Sequence, residues 1–148
     1  DMADFTGLEE QDWIIDQLLT ISPRVVETSA PDDVQLEHTS DGTIKPYIVV
    51  TFQTPFASAS GRSIAGGEQA QPHVMPFMVF AFAGDPKTAR RLGAKIRVLL
   101  VGKRPSDTAG DIKVEGGGQY DRADNDSRPS RYGSGSFCKV NVGLGLPE

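Results

Sequence analysis

Cysteine and histidine, on which much enzyme and metal chemistry depends, are scarce in this sequence of 148 residues. The single cysteine, Cys138, excludes an internal disulfide framework and is consistent with synthesis in a reducing compartment. It falls on the apolar side of a predicted strand, where a buried thiol is inert rather than nucleophilic. The two histidines, His38 and His73, have no cysteine or third histidine at ligand spacing. The sequence therefore predicts no zinc site, no catalytic residues and no cofactor.

Long apolar runs are missing as well. The longest, residues 74–83, is about half the length that a helix needs to cross a bilayer. We therefore predict no transmembrane segment and no membrane partner. The first residues are acidic, whereas signal peptides begin with basic residues, so we expect no signal peptide.

A glycine-rich phosphate loop is absent where the order of elements suggests one. An apolar run ends at Gly84-Asp85-Pro86 and leads directly into a helix with many basic residues, as in nucleotide-binding folds. A phosphate loop needs several glycines, so that bare backbone N–H groups reach the anion. Only Gly84 is present, and the Asp85 carboxylate repels a phosphate. We predict an ordinary strand-to-helix connection, capped by Asp85 and followed by Pro86 in the first turn.

Two further segments resemble ligand loops only in part. The glycine run at residues 116–118 follows a strand but opens no helix, so we predict a flexible joint. Residues 121–127, with Asp124 and Asp126 two positions apart, resemble a calcium loop. Arg128 stands at the next ligand position, however, and the required glycine and later glutamate are missing. We predict a solvated, charged loop and no metal site.

The periodicity of the sequence predicts two helices in a single domain over residues 1–148. Residues 8–21 form the N-terminal helix, with Thr6 and Glu9 at the spacing of a capping box. The second helix follows Pro86, is amphipathic, and is predicted to stop at a left-handed Gly102.

The strand pattern completes the fold class. Strands are predicted at residues 34–39, 46–54, 76–83, 112–115 and 136–144. Two of them, 46–54 and 76–83, are apolar on both sides and so belong inside the sheet. We predict an α/β (α+β) fold, a mostly antiparallel sheet of four to five strands flanked by the N-terminal helix and the second amphipathic helix. One core is expected from Ile48, Val50, Phe52, Val79, Phe80, Phe82, Leu92, Ile96 and Leu99.

Two predicted loops are long for a domain of this size. Residues 55–74 are rich in alanine, serine and glycine, and residues 116–135 are polar and rich in both charges. Loops beyond about 15 residues are uncommon inside compact domains, and neither segment has the apolar content to order by itself. We expect both to be mobile in the free subunit and to become ordered against a partner.

Charge is divided unevenly along the chain. Residues 1–60 carry 11 acidic and 2 basic side chains, a balance of −9, whereas residues 61–148 carry 9 acidic and 13 basic, a balance of +4. One interpretation is two solvated faces of one monomer. The other is that copies of the chain meet with opposite charges facing each other. The sequence alone does not decide between them.

The second helix concentrates the positive charge. Seven basic residues lie in the helix and its exit with no acid among them: Lys87, Arg90, Arg91, Lys95, Arg97, Lys103 and Arg104. The face is either simply solvated or paired with an acidic neighbour. Sequence-specific DNA binding is disfavoured, because the chain is acidic overall and shows no helix-turn-helix or zinc-finger pattern.

Three stretches carry a resemblance to a known family. They are KPYIVVTFQTP at 45–55, FMVFAFAGDPKTARRLGAKIRVLLVG at 77–102, and the ending from DRADNDSRPSRY to KVNVGL. The chain resembles the tail terminator proteins of long-tailed bacteriophages, in particular those of phages of actinobacteria. The resemblance spans nearly the whole chain as a pattern and includes no invariant motif.

The resemblance implies a structural virion protein with no catalytic residues. It implies a homo-hexameric ring that caps the tail tube, stops its polymerisation and docks the tail to the head. The partners would be the major tail tube protein and the head–tail connector (stopper) protein. Genomic DNA would pass through the lumen without sequence-specific binding. The protein would be assembled in the host cytoplasm and located in the tail or neck of the virion.

The resemblance and the charge pattern together nominate two sets of contact residues. The expected subunit interface is the basic helix face, with Lys87, Arg90, Arg91, Lys95 and Arg97. The expected contacts of the two loops with the neck or tube are Arg62, Glu68, Asp121, Arg122, Asp124, Asp126, Arg128 and Arg131.

Two rival interpretations remain open at this point. The chain could be a small soluble ligand-binding or regulatory domain, with residues 55–74 as a lid. It could also be another neck or tail-tube subunit of similar fold. The size of the protein in solution separates the first rival from the ring, because a lidded binder stays monomeric or dimeric.

Overall fold

The computed structural model describes residues 6–27, 42–57, 73–117, 119–124 and 131–143. Within them lie two helices, α1 (Leu8–Leu19) and α2 (Pro86–Leu100). The strands are β1 (Val25–Glu27), β2 (Tyr47–Phe52), β3 (Phe56–Ala57), β4 (His73–Ala83), β5 (Lys113–Gly116), β6 (Gln119–Asp124) and β7 (Arg131–Val142). Neither described helix is long and apolar enough to span a membrane.

All seven strands belong to one sheet with the order β1-β2-β4-β7-β5. The sheet is five strands wide, because β3 continues the line of β2 along β4, and β6 continues the line of β5 along β7. Only β1 and β2 run parallel, and every other pairing is antiparallel. The predicted fold class, α+β with a mostly antiparallel sheet, is confirmed.

The main core lies between one face of this sheet and the two helices. On β4 this face carries Met75, Phe77, Val79 and Ala81, each at most 1% exposed. Both helices contribute to the same cluster, α1 through Ile14 and Leu18 and α2 through Leu92, Ile96 and Leu100. The strand β7 contributes Cys138, Val140 and Val142 on one face, as their spacing predicts.

The opposite face of the sheet holds a second, smaller cluster. Its buried members are Ile44, Tyr47 and Val49, with Val26, Phe80 and Phe82 packed against them. The expectation of one core is therefore wrong for Phe80 and Phe82. A strand places successive side chains on opposite faces, so these two cannot share a cluster with Val79.

The cap of α2 is as predicted. The Asp85 carboxylate accepts hydrogen bonds from the Thr88 backbone N–H at 2.9 Å and from the Thr88 hydroxyl at 2.7 Å. These bonds hold the pKa of the Asp85 carboxyl below its usual value. Pro86 occupies the first turn, and Gly102 ends the helix with a φ of 81°.

The predicted capping box of α1 is wrong. The residue at the N-cap is Gly7, with a φ of 75° and no side-chain cap bond. A Cβ at this position would stand 2.7 Å from the Met75 sulfur and 3.1 Å from a Pro55 carbon. The close approach of this turn to the sheet therefore selects glycine, which leaves Thr6 one position too early to cap the helix.

Both predicted loops contain strand residues at their ends. In 55–74, Phe56 pairs with Val74 and Ala57 with His73, so His73 begins β4 and does not lie in a loop. In 116–135, β6 and the first residues of β7 pair with each other. Residues 58–72, 118 and 125–130 lie outside the described residues, as does the predicted strand 34–39 with His38.

The strand at residues 131–135 escaped prediction because it lacks hydrophobic alternation. Gly133 and Gly135 lie under the rings of Phe82 and Phe80, whose atoms fill the space of a Cβ at either position. On the other face of β7, Ser134 packs against Gly93 of α2. Small residues are required on both faces, so the segment has the composition of a loop.

Candidate functional site

The outward face of α2 is the densest positive surface among the described residues. Its exposed basic residues recur at helical spacing: Lys87, Arg90, Arg91 and Lys95. Val98 continues the same face and is 80% exposed, although it is apolar. The outward face of α2 therefore combines four cationic side chains with one exposed apolar side chain.

Close packing of the inward face fixes which charges point outward. Leu92 and Ile96 are buried in the main core, and Gly93 lies against β7. A Cβ at Gly93 would stand 2.5 Å from the Ser134 hydroxyl oxygen. The helix cannot roll on the sheet without a clash here, so the basic face is held toward the outside.

Arg97, the fifth predicted interface residue, is also exposed, and it has a hydrogen bond to the sheet. Its Nε donates a hydrogen bond of 3.0 Å to the Ser136 hydroxyl on β7. Its guanidinium occupies the space that a Cβ at Gly117 would need. Arg97 therefore lies on the flank of α2 toward the sheet edge, where it ties the helix to β7.

Arg104, one of the two basic residues at the helix exit, stabilises the turn that follows. Arg104 donates to the backbone carbonyls of Asp107 and Ala109, at 3.2 and 3.0 Å. This turn also contacts α1, because the Ser106 hydroxyl donates a hydrogen bond of 2.6 Å to the buried Glu10 carboxylate. The start of α1 thus lies near the end of α2, and the two helices run in opposite directions over the sheet.

The outward face of α1 is acidic where that of α2 is basic. Glu9, Asp12 and Asp16 are exposed, whereas Glu10 turns inward. Two leucines on the same helix are also exposed, Leu8 at 59% and Leu19 at 46%. The helical layer therefore presents two unlike surfaces side by side.

A pocket of about 380 Å³ opens between the end of α1 and the first half of α2. Its walls are lined by Ile21, Ser22, Pro23, Arg24, Lys45, Pro46, Thr88, Arg91, Leu92 and Lys95. Four of these side chains are cationic, and none of the described lining residues is acidic. The pocket is suited to a group that combines a negative charge with an apolar part.

Two pocket residues were missed from the sequence, although a signal was present. Arg24 and Lys45 are the only basic residues among the first 60. Both line the pocket together with Arg91 and Lys95 of the basic helix. Isolated cations in an acidic region could have been singled out, but their convergence with α2 depends on the tertiary fold.

Four of the eight predicted loop contacts fall within the described residues, and all four belong to strands. Asp121, Arg122 and Asp124 belong to β6 and not to a loop. Arg131 begins β7, where its guanidinium donates to the Tyr47 hydroxyl at 2.6 Å and lies 4.9 Å from the Phe82 ring centre. The remaining four, Arg62, Glu68, Asp126 and Arg128, lie outside the described residues.

The described residues contain little reactive chemistry. Burial raises the pKa of the Cys138 thiol to about 11, although the nearby Arg97 charge opposes the shift. A thiol held neutral at neutral pH is a poor nucleophile. No three His, Cys, Asp or Glu side chains in the described part of the chain are placed to hold a metal ion.

Comparison with solved structures finds chains of similar fold. The fold is similar to that of a chain in the solved structure of the virion of a native gene transfer agent particle, with a TM-score of 0.58. The match covers 89% of this chain and 92% of the other at 12% sequence identity.

A second solved protein matches at 16% identity with a TM-score of 0.47, covering 93% of this chain and 98% of that one. No protein-family model matches the sequence. No curated protein sequence matches it either.

Proposed function

We propose that this chain is a structural virion protein that forms a hexameric ring, caps the tail tube and docks the tail to the head. The observation that carries the proposal is the fold similarity to a chain of the gene transfer agent virion over 89% of this protein and 92% of that one. The match extends over most of the length of both chains. The sequence resemblance to tail terminators adds the position at the end of the tube.

In this role the whole chain, residues 1–148, acts as one non-enzymatic domain. Its partners are further copies of itself, the major tail tube protein and the head–tail connector protein. Genomic DNA passes through the lumen without sequence-specific binding. The basic face of α2 belongs at a subunit contact and not in the channel, because each phosphate contact would retard DNA through counterion release.

A ring requires two different complementary surfaces on each subunit, because a head-to-tail contact repeats until it closes. The outward faces of α1 and α2 meet this requirement, one with Glu9, Asp12 and Asp16 and the other with four basic residues. Exposed Val98 supplies an apolar contact inside the charged face. Opposite charges would set the register and the choice of partner.

The position in the particle is tested by assembling particles without this protein. We expect tails of irregular length that fail to join heads, visible by electron microscopy. Supplying the protein should restore uniform tails and joining. Normal tails of defined length that still fail to join heads would instead favour the rival of another neck subunit.

The assembly surface is tested with the double variant Arg90→Glu and Arg91→Glu. We expect the subunit to stay folded but to lose hexamer formation in sedimentation, since like charges across an interface are strongly repulsive while solvated ones cost little. Added salt should weaken the wild-type ring in the same direction, because exposed charges are screened beyond about 10 Å at 0.1 M. Lys103→Glu with Lys113→Glu is the control, because both side chains are exposed and lie off this face.

A variant that remains hexameric at every salt concentration would contradict the role of this face. Intact rings that lose affinity for duplex DNA of any sequence would assign the charge to nucleic acid instead. The rival of a lidded ligand-binding domain predicts a monomer or dimer in solution instead of a ring. Among the described residues of that segment, 55–57 and 73–74, none lines the pocket.

A further inference from the structure

We infer that the cationic pocket between α1 and α2 receives the first turn of α1 from a second copy of this chain. The inference rests on the proposed ring and names the two surfaces that meet in it. It is carried by the lining of the pocket, by the chemistry of the α1 start and by their positions at opposite ends of the helical layer.

The pocket combines a cationic rim with an apolar wall. Arg24, Lys45, Arg91 and Lys95 come from three separate parts of the chain and converge on one opening. Ile21, Pro23, Pro46 and Leu92 line the same space with apolar atoms. An inorganic anion would use the rim only. An acidic peptide segment with an exposed apolar side chain would use both.

The first turn of α1 has this composition. Leu8 is 59% exposed, and Glu9 and Asp12 are exposed beside it. Leu8 and Asp12 are four residues apart and Glu9 and Asp12 three, so all three side chains share one surface of the helix. Their outward direction is fixed, because Gly7 is wedged against Met75 and Glu10 turns inward to Ser106.

A subunit cannot fill its own pocket with this turn. The pocket contains Ser22 and Pro23, which follow the end of α1, whereas Leu8 begins the helix. The 12 residues of α1 separate the two by about 18 Å. If this turn fills the pocket, it therefore comes from another copy, and the contact joins two different surfaces. Repetition of such a contact gives a closed ring or an open filament.

Charge reversal with rescue tests the pairing. The pocket variant is Arg91→Glu with Lys95→Glu, and the α1 variant is Glu9→Lys with Asp12→Lys. Each alone places like charges in contact, so we expect self-association to weaken by about 100-fold. An equimolar mixture restores both contacts, because each reversed surface then meets its complement. In a ring of six the two variants alternate and the ring closes.

A matched control separates the pocket from the basic face as a whole. Lys87→Glu with Arg90→Glu reverses the same number of charges on α2 but changes no residue that lines the pocket. We expect this variant to associate more strongly than the pocket variant and to gain nothing from mixing with the α1 variant. If the pocket variant and the control variant weaken self-association equally, and mixing either one with the α1 variant restores nothing, the inference is overturned.

Disulfide trapping tests the contact even when association is transient. The pair Leu8→Cys and Pro23→Cys in one chain should give covalent dimers, trimers and higher species under mild oxidation. Leu8→Cys with Lys113→Cys, an exposed site on β5, should not. Native Cys138 is buried and does not compete. Absence of the ladder, or the same ladder from the control pair, would overturn the inference.

The failures of the two proposals are distinguishable. If the protein forms hexamers in sedimentation, but disulfide trapping gives no covalent ladder and mixing the variants restores no association, the ring is retained and this contact is excluded from it. Failure to assemble by either measure, together with normal tails in particles lacking the protein, removes the proposed function as well. Tight binding of inorganic phosphate that survives in the α1 variant, with no ladder, would make the pocket an anion site.

Discussion

The two faces of the sheet are built on different principles, although the same strands supply both. On the helix face, β4 contributes Met75, Phe77 and Val79, which are at most 1% exposed beneath α1 and α2. On the opposite face, Phe80 is only partly buried and Phe137 is 40% exposed. The helices bury the first face, whereas the second combines the small buried cluster of Ile44, Tyr47 and Val49 with aromatic rings that are partly exposed.

The second face is a row of aromatic side chains laid over small residues. Tyr47 stacks on Phe82 with ring centres 5.3 Å apart, and Phe80 lies 6.0 Å from Phe82. Phe137 meets the edge of Phe80 at 6.3 Å. Gly133 and Gly135 of β7 make room for the rings of Phe82 and Phe80. Aromatic rings that cover glycines on a neighbouring strand compensate for the missing side chains.

The largest expected contrast is between Phe77→Ala and Phe80→Ala, three positions apart on β4. We expect Phe77→Ala to lower the free energy of unfolding by about 3 to 5 kcal/mol, because it leaves a cavity in the main core. Phe80→Ala should cost about 1 to 2 kcal/mol, since the partly exposed site can relax. Urea unfolding measures both. Equal losses would show that the second face is as tightly packed as the first.

Thiol reactivity compares adjacent positions of β7. The Cys138 thiol, with its pKa raised to about 11, should react with an alkylating reagent at pH 8 about 100-fold more slowly than an ordinary thiol. The variant Phe137→Cys with Cys138→Ala places the thiol on the other face and should react at an ordinary rate. Comparable rates would contradict the assignment of the faces.

The same shift has a consequence at high pH. The usual pKa of this thiol is 9.0, and the folded protein raises it to about 11. The stabilisation from keeping the thiol neutral is therefore complete below pH 9 and is lost as the pH rises toward 11. The unfolding midpoint of wild type should fall more steeply across this window than that of Cys138→Ala.

A smaller effect is expected at the glycine beneath Phe80. In Gly135→Ala the new Cβ would collide with the Phe80 ring, and we expect a loss of about 1 kcal/mol. With Phe80→Ala already present, the same change should be neutral or stabilising by about 0.5 kcal/mol, because alanine costs less entropy than glycine in a strand. A double-mutant cycle measures this coupling. Additive effects would mean that the ring and the glycine do not pack together.

An effect of similar size is expected at the end of the aromatic row. Tyr47→Phe removes the acceptor of the 2.6 Å hydrogen bond from Arg131, and we expect a loss of about 0.5 to 1.5 kcal/mol. The guanidinium keeps its place over Phe82, so the loss should be confined to the hydrogen bond. Repeating Tyr47→Phe in the Arg131→Met background isolates the contribution of this hydrogen bond, which should then be absent. An undiminished effect in the Arg131→Met background would contradict the assignment.

Elements with strong local signals could be predicted from the sequence. The α2 helix was recognised because Asp85, Pro86 and Gly102 mark its ends and its apolar residues recur at helical spacing. The doubly apolar strands β2 and β4 were recognised from composition alone. The alternation of Cys138, Val140 and Val142 placed these residues on one face, which the structure confirms.

Elements defined by what packs on them could not be predicted in the same way. The start of β7 has the composition of a loop. Gly133 and Gly135 are needed because the rings of Phe82 and Phe80, about fifty positions earlier in the sequence, pack over them. For the same reason the sequence did not reveal that Gly7, and not Thr6, is the N-cap of α1. The need for glycine there depends on Met75, which is far away in the sequence. No local pattern contains these partners.

The sequence by itself determined the chemistry that the molecule has to work with. It set the acidic first 60 residues, the basic second helix, the scarcity of reactive side chains and the α+β class. Only the tertiary structure decided how those charges are arranged. It brought Arg97 into hydrogen-bond contact with Ser136, and it brought Arg24 and Lys45 beside Arg91 and Lys95. Helical spacing fixes which residues share a face, but convergence of separate segments depends on how the helices pack on the sheet.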